Sequence, residues 1–364
     1  MSIEASHRLP SITLEGSHYD VGRGLGRHGA AQVHRHLVRT YAWATVMELK
    51  DDARIHIARS LVEQHYPHYW QELSGLADGL GLPFDEVFAW NCRGDLWAMA
   101  PDGCTTIQIP GQIPGQIPGQ ISGRTPGADP VVAHNEDGDP GLRPGCALAT
   151  IAPEHGLSFT AFIYPGSLPG HTFAINGRGL VMTVNNIRST LGGSGLPRMV
   201  LTRAILDCPT IDAALSLLPE APRAGAFHLT LAQAGQSRLA SVEFTHTDCS
   251  IVNIAGASVH ANHLMHADMV SQPQIITGSS ASRQERGEAI LATSDRSPEP
   301  LSVLRDRQRR ALPIYRTQPD DPDGENTLAT AVFKIGRDSV DWAVYDGEGS
   351  AARFENVDLT IRAM

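Results

Sequence analysis

The chain has 364 residues, enough for one large domain or two ordinary ones with a full core and no need of disulfide support. Hydrophobic residues make up 41% and charged residues 19%, with 35 glycines and 24 prolines, which excludes a disordered chain and points to a globular one rich in turns. The formal net charge of −10 excludes a generally basic face for nucleic acid or for an anionic membrane, so small-molecule partners are expected.

From the N-terminus, "SITLEG" (11–16) alternates polar and apolar residues and predicts a short strand. "YDVGRGLGRHG" reads as a glycine-rich turn, leading into a helix from about Ala30 to Leu49 with Val33, Leu37, Tyr41, Ala44 and Leu49 near one face. Further helices are predicted over Asp52–His65 and Tyr69–Leu80, the latter stopped by the glycines of "DGLGLP", and a fourth begins just after Pro83. The first hundred residues are therefore mostly helical.

After Cys104 the pattern changes. "CTTIQI", "PVVAHNED", "LSFTAFIYPG", "HTFAINGRGLVMTVNNI", "AFHLTLAQ" and "RLASVEFT" are short β-branched, aromatic or alternating runs separated by Gly and Pro, as strands are. Helices are predicted around 209–220 and 282–293, followed by strands at "ATAVFKIG" and "DWAVYDGEG". This order suits stacked layers around a pair of sheets. Between the first two strands, residues 108–127 repeat QIPG, QIPG, QIPG, QISG, RTPG. A Pro/Gly tetrapeptide cannot supply a core, and its period of four excludes collagen, so it reads as an inserted, exposed loop.

The five cysteines, at 92, 104, 146, 208 and 249, are odd in number, widely spaced and without a Cys-x-x-Cys pair, so neither a disulfide framework nor a zinc knuckle is indicated. The start of the chain lacks a basic segment followed by an apolar one, and no apolar stretch approaches the ~20 residues that span a bilayer, so a cytoplasmic location is expected. Gly24, Gly26 and Gly29 match G-x-G-x-x-G, yet the acid about 20 positions on, Glu48, falls in helical sequence rather than at a strand end, which favours a turn over a nucleotide site. His260, His263 and His266 are spaced by three, and His28, His34 and His36 also cluster, but no complete metal-ligand pattern is present.

"DGCTT" (102–106) carries distinctive chemistry. Gly103 presents an unhindered carbonyl to the sulfur of Cys104, with Asp102 and Thr105 beside the bond. If attack there gave a thioester that water resolved, Cys104 would become an N-terminus whose α-amine, with a pKa of about 7.7–8.0 against about 8.5 for the thiol, acts as base for its own nucleophile. The bland alternative is a cysteine packed at a strand start.

The motifs resemble those of N-terminal-nucleophile hydrolases of the acyl-coenzyme A:6-aminopenicillanate acyltransferase type, peptidase family C45, which includes β-alanyl-amine hydrolases of insects. "LEGSHYDVGRGLG" (14–26) is similar to that family's entry motif, and "YWQELSGLADGLGLPFDEVFAWN" (69–91) to its helical lead-in. The resemblance implies an α+β fold, a four-layer αββα sandwich, with self-cleavage between Gly103 and Cys104. Residues 1–103 would then form the helical α chain and 104–364 the catalytic β chain of one domain.

"AHNEDGD" (133–139) resembles the motif whose acid lies near the nucleophile, implying Asp137. "HANHLMH" (260–266) implies Asn262 as an oxyanion-hole residue, and "SSASRQERG" (279–287) resembles the Ser-Arg motif, matching Ser282 and Arg283. Asn185 and Asn186 in "TVNNI" are further oxyanion or substrate-binding candidates, and Arg283 is a candidate either to fork a substrate carboxylate or to hold Asp137. The spacing of Cys104 and Asp137 is widened by the QIPG insertion, which a hairpin tolerates because closure entropy grows slowly with loop length.

The expected function is amide hydrolysis or acyl transfer on small N-acyl or β-alanyl amides, with acyl-coenzyme A as an alternative donor and no cofactor or metal. The expected assembly is the α and β chains of one precursor, with a homo-oligomer open. Two competing classes are a nucleotide-binding protein with a structural Cys104 and a scaffold whose QIPG loop docks a partner.

Overall fold

The computed structural model describes residues 8–101, 103–111, 129–293, 299–349 and 351–355. Most of the QIPG repeat, from residue 112, and Asp102 lie outside the described residues.

The glycine-rich entry is helix rather than turn. Strand β1 (Ser11–Gly16) leads to α1 (His18–Arg35), where Ser17 accepts a hydrogen bond from the Asp20 amide as N-cap. Gly22 and Gly26 lie inside α1 and face Gly75 and Gly79 of α4 (Pro67–Leu80). A Cβ on Gly22 would overlap the Glu72 carbonyl, and one on Gly75 the Tyr19 carbonyl, so these glycines let two helix backbones touch. Propensity disfavours glycine in a helix by about 1 kcal/mol per residue, and here the close crossing outweighs it. Gly24 rests against Leu14 and Gly29 against Pro165, so the G-x-G-x-x-G pattern is filled by protein and offers no phosphate cradle.

The predicted Ala30–Leu49 helix is two helices. α1 stops at Arg35, a 3-10 turn covers Leu37–Arg39, and Thr40 caps α2 (Tyr41–Glu48) by accepting from the Trp43 amide. α3 (Ala53–His65), capped by Asp52, and α4, ended by Gly81 at φ +67°, follow the predicted bounds closely. α5 (Phe84–Asn91) and the short α6 (Arg93–Leu96) complete the segment. α6 carries Arg93 and Asp95, both buried.

The strands are β2 (Gly103–Ile109), β3 (Val131–Gly138), β4 (Ala147–Pro153), β5 (Phe159–Ile163), β6 (Phe173–Asn176), β7 (Leu180–Asn186), β8 (Phe227–Gln233), β9 (Leu239–Phe244), β10 (Cys249–Asn253), β11 (Ser258–His260), β12 (Asn326–Ile335), β13 (Val340–Tyr345) and β14 (Phe354–Glu355). The remaining helices are α7 (Arg198–Ile205), α8 (Ile211–Glu220), α9 (Gly278–Thr293) and α10 (Pro300–Leu304). One sheet runs β1-β4-β5-β6-β7-β8-β9-β10 and the other β11-β2-β3-β12-β13-β14. All pairs are antiparallel except β1 with β4.

The sheets meet where β2 lies over β7. α1 and α8 cover the outer face of the first sheet, and α9 and α10 that of the second. The protein is therefore an α+β fold of four layers, αββα. Buried apolar residues from α1, α4, α5, α7 and both sheets form one continuous core.

Helix α7 escapes the sequence pattern because it is buried on all sides yet carries Arg198 and Arg203. Arg203 is held by Glu72 of α4 at 3.1 Å and Asp207 at 3.0 Å, with His18 completing the cluster on Glu72 at 3.0 Å. Burying those charges is tolerable only because each is paired.

Replacing Gly75 by alanine should lower stability by about 3 kcal/mol or more, since the added methyl meets rigid backbone. Gly256→Ala, where a Cβ meets nothing within 4 Å, should leave the urea midpoint nearly unchanged. Equal midpoints for the two variants would refute the close-crossing account.

Candidate active site

Cys104 is set by strand register. β2 lies between β11 and β3, and the β2–β3 pairing puts Gly103 opposite Asp137, Cys104 opposite Glu136, Thr105 opposite Asn135 and Thr106 opposite His134. Directly opposed residues share a face and successive residues alternate. Cys104, Glu136, Thr106 and His134 therefore face the other sheet, where Thr106 Oγ1 donates to Asn185 Oδ1 of β7 at 2.7 Å. Thr105 and Asn135 face the helical layer, where Thr105 Oγ1 accepts from Arg283 of α9 at 2.8 Å and Asn135 Nδ2 donates to the Leu304 carbonyl of α10 at 2.8 Å.

Around Cys104 the bonds converge. The Cys104 amide donates to Asn262 Oδ1 at 2.9 Å, and the same oxygen accepts from Arg283 at 2.7 Å. Arg283 also donates to the Cys104 carbonyl and to Ser279 Oγ, so its fork is spent on oxygens of the site. Burial lowers the Arg283 pKa, against the pull of the Asp137 charge. Asn262 is fixed at its other end, donating from Nδ2 to the Asn186 carbonyl at 3.0 Å and from its amide to Ser280 Oγ at 2.9 Å.

The acid that touches the sulfur is Glu136, with Cys104 Sγ 3.7 Å from Glu136 Oε2. Asp137 points to the opposite face, accepting from Thr327 Oγ1 at 2.7 Å and lying 4.0 Å from Arg316. Burial raises the Asp137 pKa, with Arg316 and Arg283 opposing the rise. A Cβ on Gly103 would overlap the Glu325 carboxylate and crowd Arg316, so the residue before Cys104 sits against this Asp137–Arg316–Glu325 cluster, and a larger residue there would have to displace it. It is Arg316, rather than Arg283, that stands beside Asp137.

The remaining candidates divide. Asn185 is close to β2 but committed, with Oδ1 accepting from Thr106 and His228 and Nδ2 donating to the His260 carbonyl at 3.1 Å. Asn186 donates to the Ala100 carbonyl at 3.3 Å and accepts from Arg198 at 2.6 Å, so it anchors the segment just before Cys104. Ser282 donates to the Leu312 carbonyl at 2.9 Å and stands away from Cys104, while its neighbours Ser279 and Ser280 serve Arg283 and Asn262.

His260, His263 and His266 turn to three different partners, Glu243, Ser280 and Ser241. Among the described residues, the one group of three convergent metal-type donors is Cys104, His134 and Glu136, all buried. His134 and Glu136 were absent from the sequence reading, although their alternation with Asp137 along β3 carries the signal. Arg316 and Glu325 lie more than 200 residues from Cys104 in sequence and no local pattern marks them.

The sequence model of the family described as acyl-coenzyme A:6-aminopenicillanic acid acyl-transferase matches residues 124–346, more than half of the chain. The chain belongs to this family. The matched span includes His134, Glu136, Asp137, Asn262, Arg283, Arg316 and Glu325 and begins after Cys104.

Beta-alanyl-dopamine/carcinine hydrolase of Drosophila melanogaster is 28% identical over 232 residues, 58% of this chain and 58% of the relative, so the match spans somewhat over half the length of that protein. Among solved structures, a mutant of conjugated bile acid hydrolase from Clostridium perfringens aligns at 10% identity over 68% of this chain and 90% of its own, with a TM-score of 0.41. Penicillin V acylase from Agrobacterium tumefaciens aligns at 17% over 67% and 75%, with a TM-score of 0.31. At such scores these structural likenesses transfer no residue roles.

Two outcomes follow from the geometry. Arg283→Gln withdraws donors from the Cys104 carbonyl, Thr105 and Asn262 and should destabilise the fold by about 1–3 kcal/mol in urea unfolding, an unchanged midpoint arguing against the hub. Burial pushes His134 down to about 3, so the stability tied to its neutral ring is present above about pH 6.5 and is lost as pH falls toward 3. His134→Gln should therefore flatten the acid limb of stability by up to about 1.36 kcal/mol per pH unit.

Proposed function

We propose that this protein is a self-processing cysteine N-terminal-nucleophile amidohydrolase that acts on small N-acyl or β-alanyl amides through an acyl-enzyme on Cys104. The observation that carries the reading is the Cys104 amide bonded to Asn262 Oδ1, itself gripped by Arg283, in a chain of this family. Scission between Gly103 and Cys104 would turn that amide into an α-amine and leave it on the same acceptor.

In the mature form the α-amine takes the thiol proton, the thiolate attacks the substrate carbonyl, and the proton passes to the leaving amine. Water then frees the acid. Asn262 Oδ1 holds the amine, a role its geometry supports better than oxyanion donation, because Nδ2 is committed to the Asn186 carbonyl. An oxyanion donor, worth about 3 kcal/mol in comparable sites, has to come from another amide near Cys104 or from rearrangement of Asn262. Asp137 with Arg316 lines the Gly103 side of the bond and keeps charge balanced there.

β-Alanyl amines are the substrates we favour, since the Drosophila relative is a hydrolase named for them. Transfer to an acceptor amine, with acyl-coenzyme A as donor, is the second reading, because the family description is that of an acyltransferase.

Denaturing mass analysis of purified protein should find pieces of 103 and 261 residues, and Cys104→Ala should remain one chain of 364 without turnover. Incubation with β-alanyl-histamine should release free β-alanine. A cleaved, active Cys104→Ala protein would sink the scheme, and new amide in place of free acid when an amine acceptor is added would favour transfer.

A further inference from the structure

Self-cleavage poses a problem that turnover does not. Before scission the Cys104 nitrogen is an amide donating to Asn262, so no α-amine exists to activate the thiol. Another group has to receive the thiol proton and deliver one to the nitrogen that leaves Gly103.

Hydrogen-bond bookkeeping in the buried face of β2 and β3 identifies it. Asn185 is oriented by its Nδ2 bond to the His260 carbonyl, so its Oδ1 only accepts. Thr106 Oγ1, 2.7 Å from that oxygen, must spend its one proton there and can only accept from His134 Nδ1 at 2.8 Å. The His134 proton is thereby fixed on Nδ1, leaving Nε2 bare in the neutral ring. Nε2 is 3.1 Å from Glu136 Oε2, so with the ring neutral, the form that burial favours, the bond between them is donated by a Glu136 hydroxyl. The same Oε2 lies 3.7 Å from Cys104 Sγ.

We propose that Glu136, backed by His134, is the proton relay for self-cleavage of the Gly103–Cys104 bond, with Thr106 as the positioning residue that sets the His134 tautomer. This rests on the self-processing reading above. The thiol proton passes to Glu136 while the Glu136 proton passes to His134 Nε2, giving a thiolate beside a transient imidazolium. The sulfur bonds to the Gly103 carbonyl carbon, and the tetrahedral adduct collapses by breaking the Gly103–Cys104 C–N bond. Glu136 protonates the departing nitrogen and regains a proton from His134. The products are a Gly103 thioester and a free α-amine, and one water then gives the Gly103 carboxylate and the Cys104 thiol, so protons and charge balance.

The test follows cleavage of freshly purified full-length precursor by mass, with folding checked by urea midpoint. Glu136→Gln keeps size but not the titratable proton and should slow cleavage by about 100-fold or more. Thr106→Val frees the His134 tautomer and should slow it measurably, while Thr106→Ser, which keeps the hydroxyl, should restore it. A change in packing alone would not separate these two. Hydroxylamine, which traps thioesters, should hasten cleavage of the wild-type chain and not of Glu136→Gln, whose block precedes the thioester.

Wild-type cleavage with Glu136→Gln cleaving at the same rate overturns the relay and spares the function. If Glu136→Gln fails to fold, the Thr106 pair decides: equal rates for its Val and Ser forms overturn the proposal, and a slow Val with a restored Ser supports it. A wild-type chain that stays intact under all conditions overturns both readings.

Discussion

The pairing register of β2 with β3 governs the site. Because Cys104 stands opposite Glu136 and Gly103 opposite Asp137, two adjacent acids are sent to opposite faces of one sheet. Glu136 joins His134 and Thr106 in the space between the sheets, and Asp137 joins Arg316 and Glu325 on the other side. A slip of one residue would exchange these environments and put a carboxylate lacking its partner beside the sulfur. The bonds across the neighbouring layers guard against that slip: Thr106 to β7, Thr105 to α9 and Asn135 to α10 each fit one register only.

Arg283 and Asn262 form the second constraint. A fully buried guanidinium is costly unless its donors are satisfied, and here they are satisfied by the backbone and side chains around Cys104. The desolvation cost is thus coupled to correct assembly of β2, β11 and α9. Asn262 passes the same constraint to β7 through the Asn186 carbonyl, and Asn186 passes it to Ala100, just ahead of β2. Chain segments far apart in sequence are held to one small volume by hydrogen bonds that lose most of their value if any one strand is displaced.

The outer layers serve this centre indirectly. Glycine contacts bring α4 against α1, which covers the first sheet, and the Glu72–Arg203–His18 cluster ties α7 to both. Opening the β2–β3 connection for the Pro/Gly repeat leaves the paired parts of both strands in register, since Ile109 still pairs with Val131.

By itself the sequence determined most strand and helix positions and the unusual context of Cys104, because alternation, capping and short motifs are local signals, and the family resemblance of its motifs pointed to the four layers and to Asn262 and Arg283. It misplaced the glycine entry as a turn, since glycine in a helix is explained only by the helix it touches. It missed α7, whose buried arginines look like surface residues until Glu72 is found beside them. Above all, "HNED" offers two adjacent acids, and motif position pointed to Asp137. Which acid meets the sulfur depends on the face each occupies, and that is decided by pairing across a loop and by Arg316 and Asn185, residues that only the tertiary structure brings to the same place.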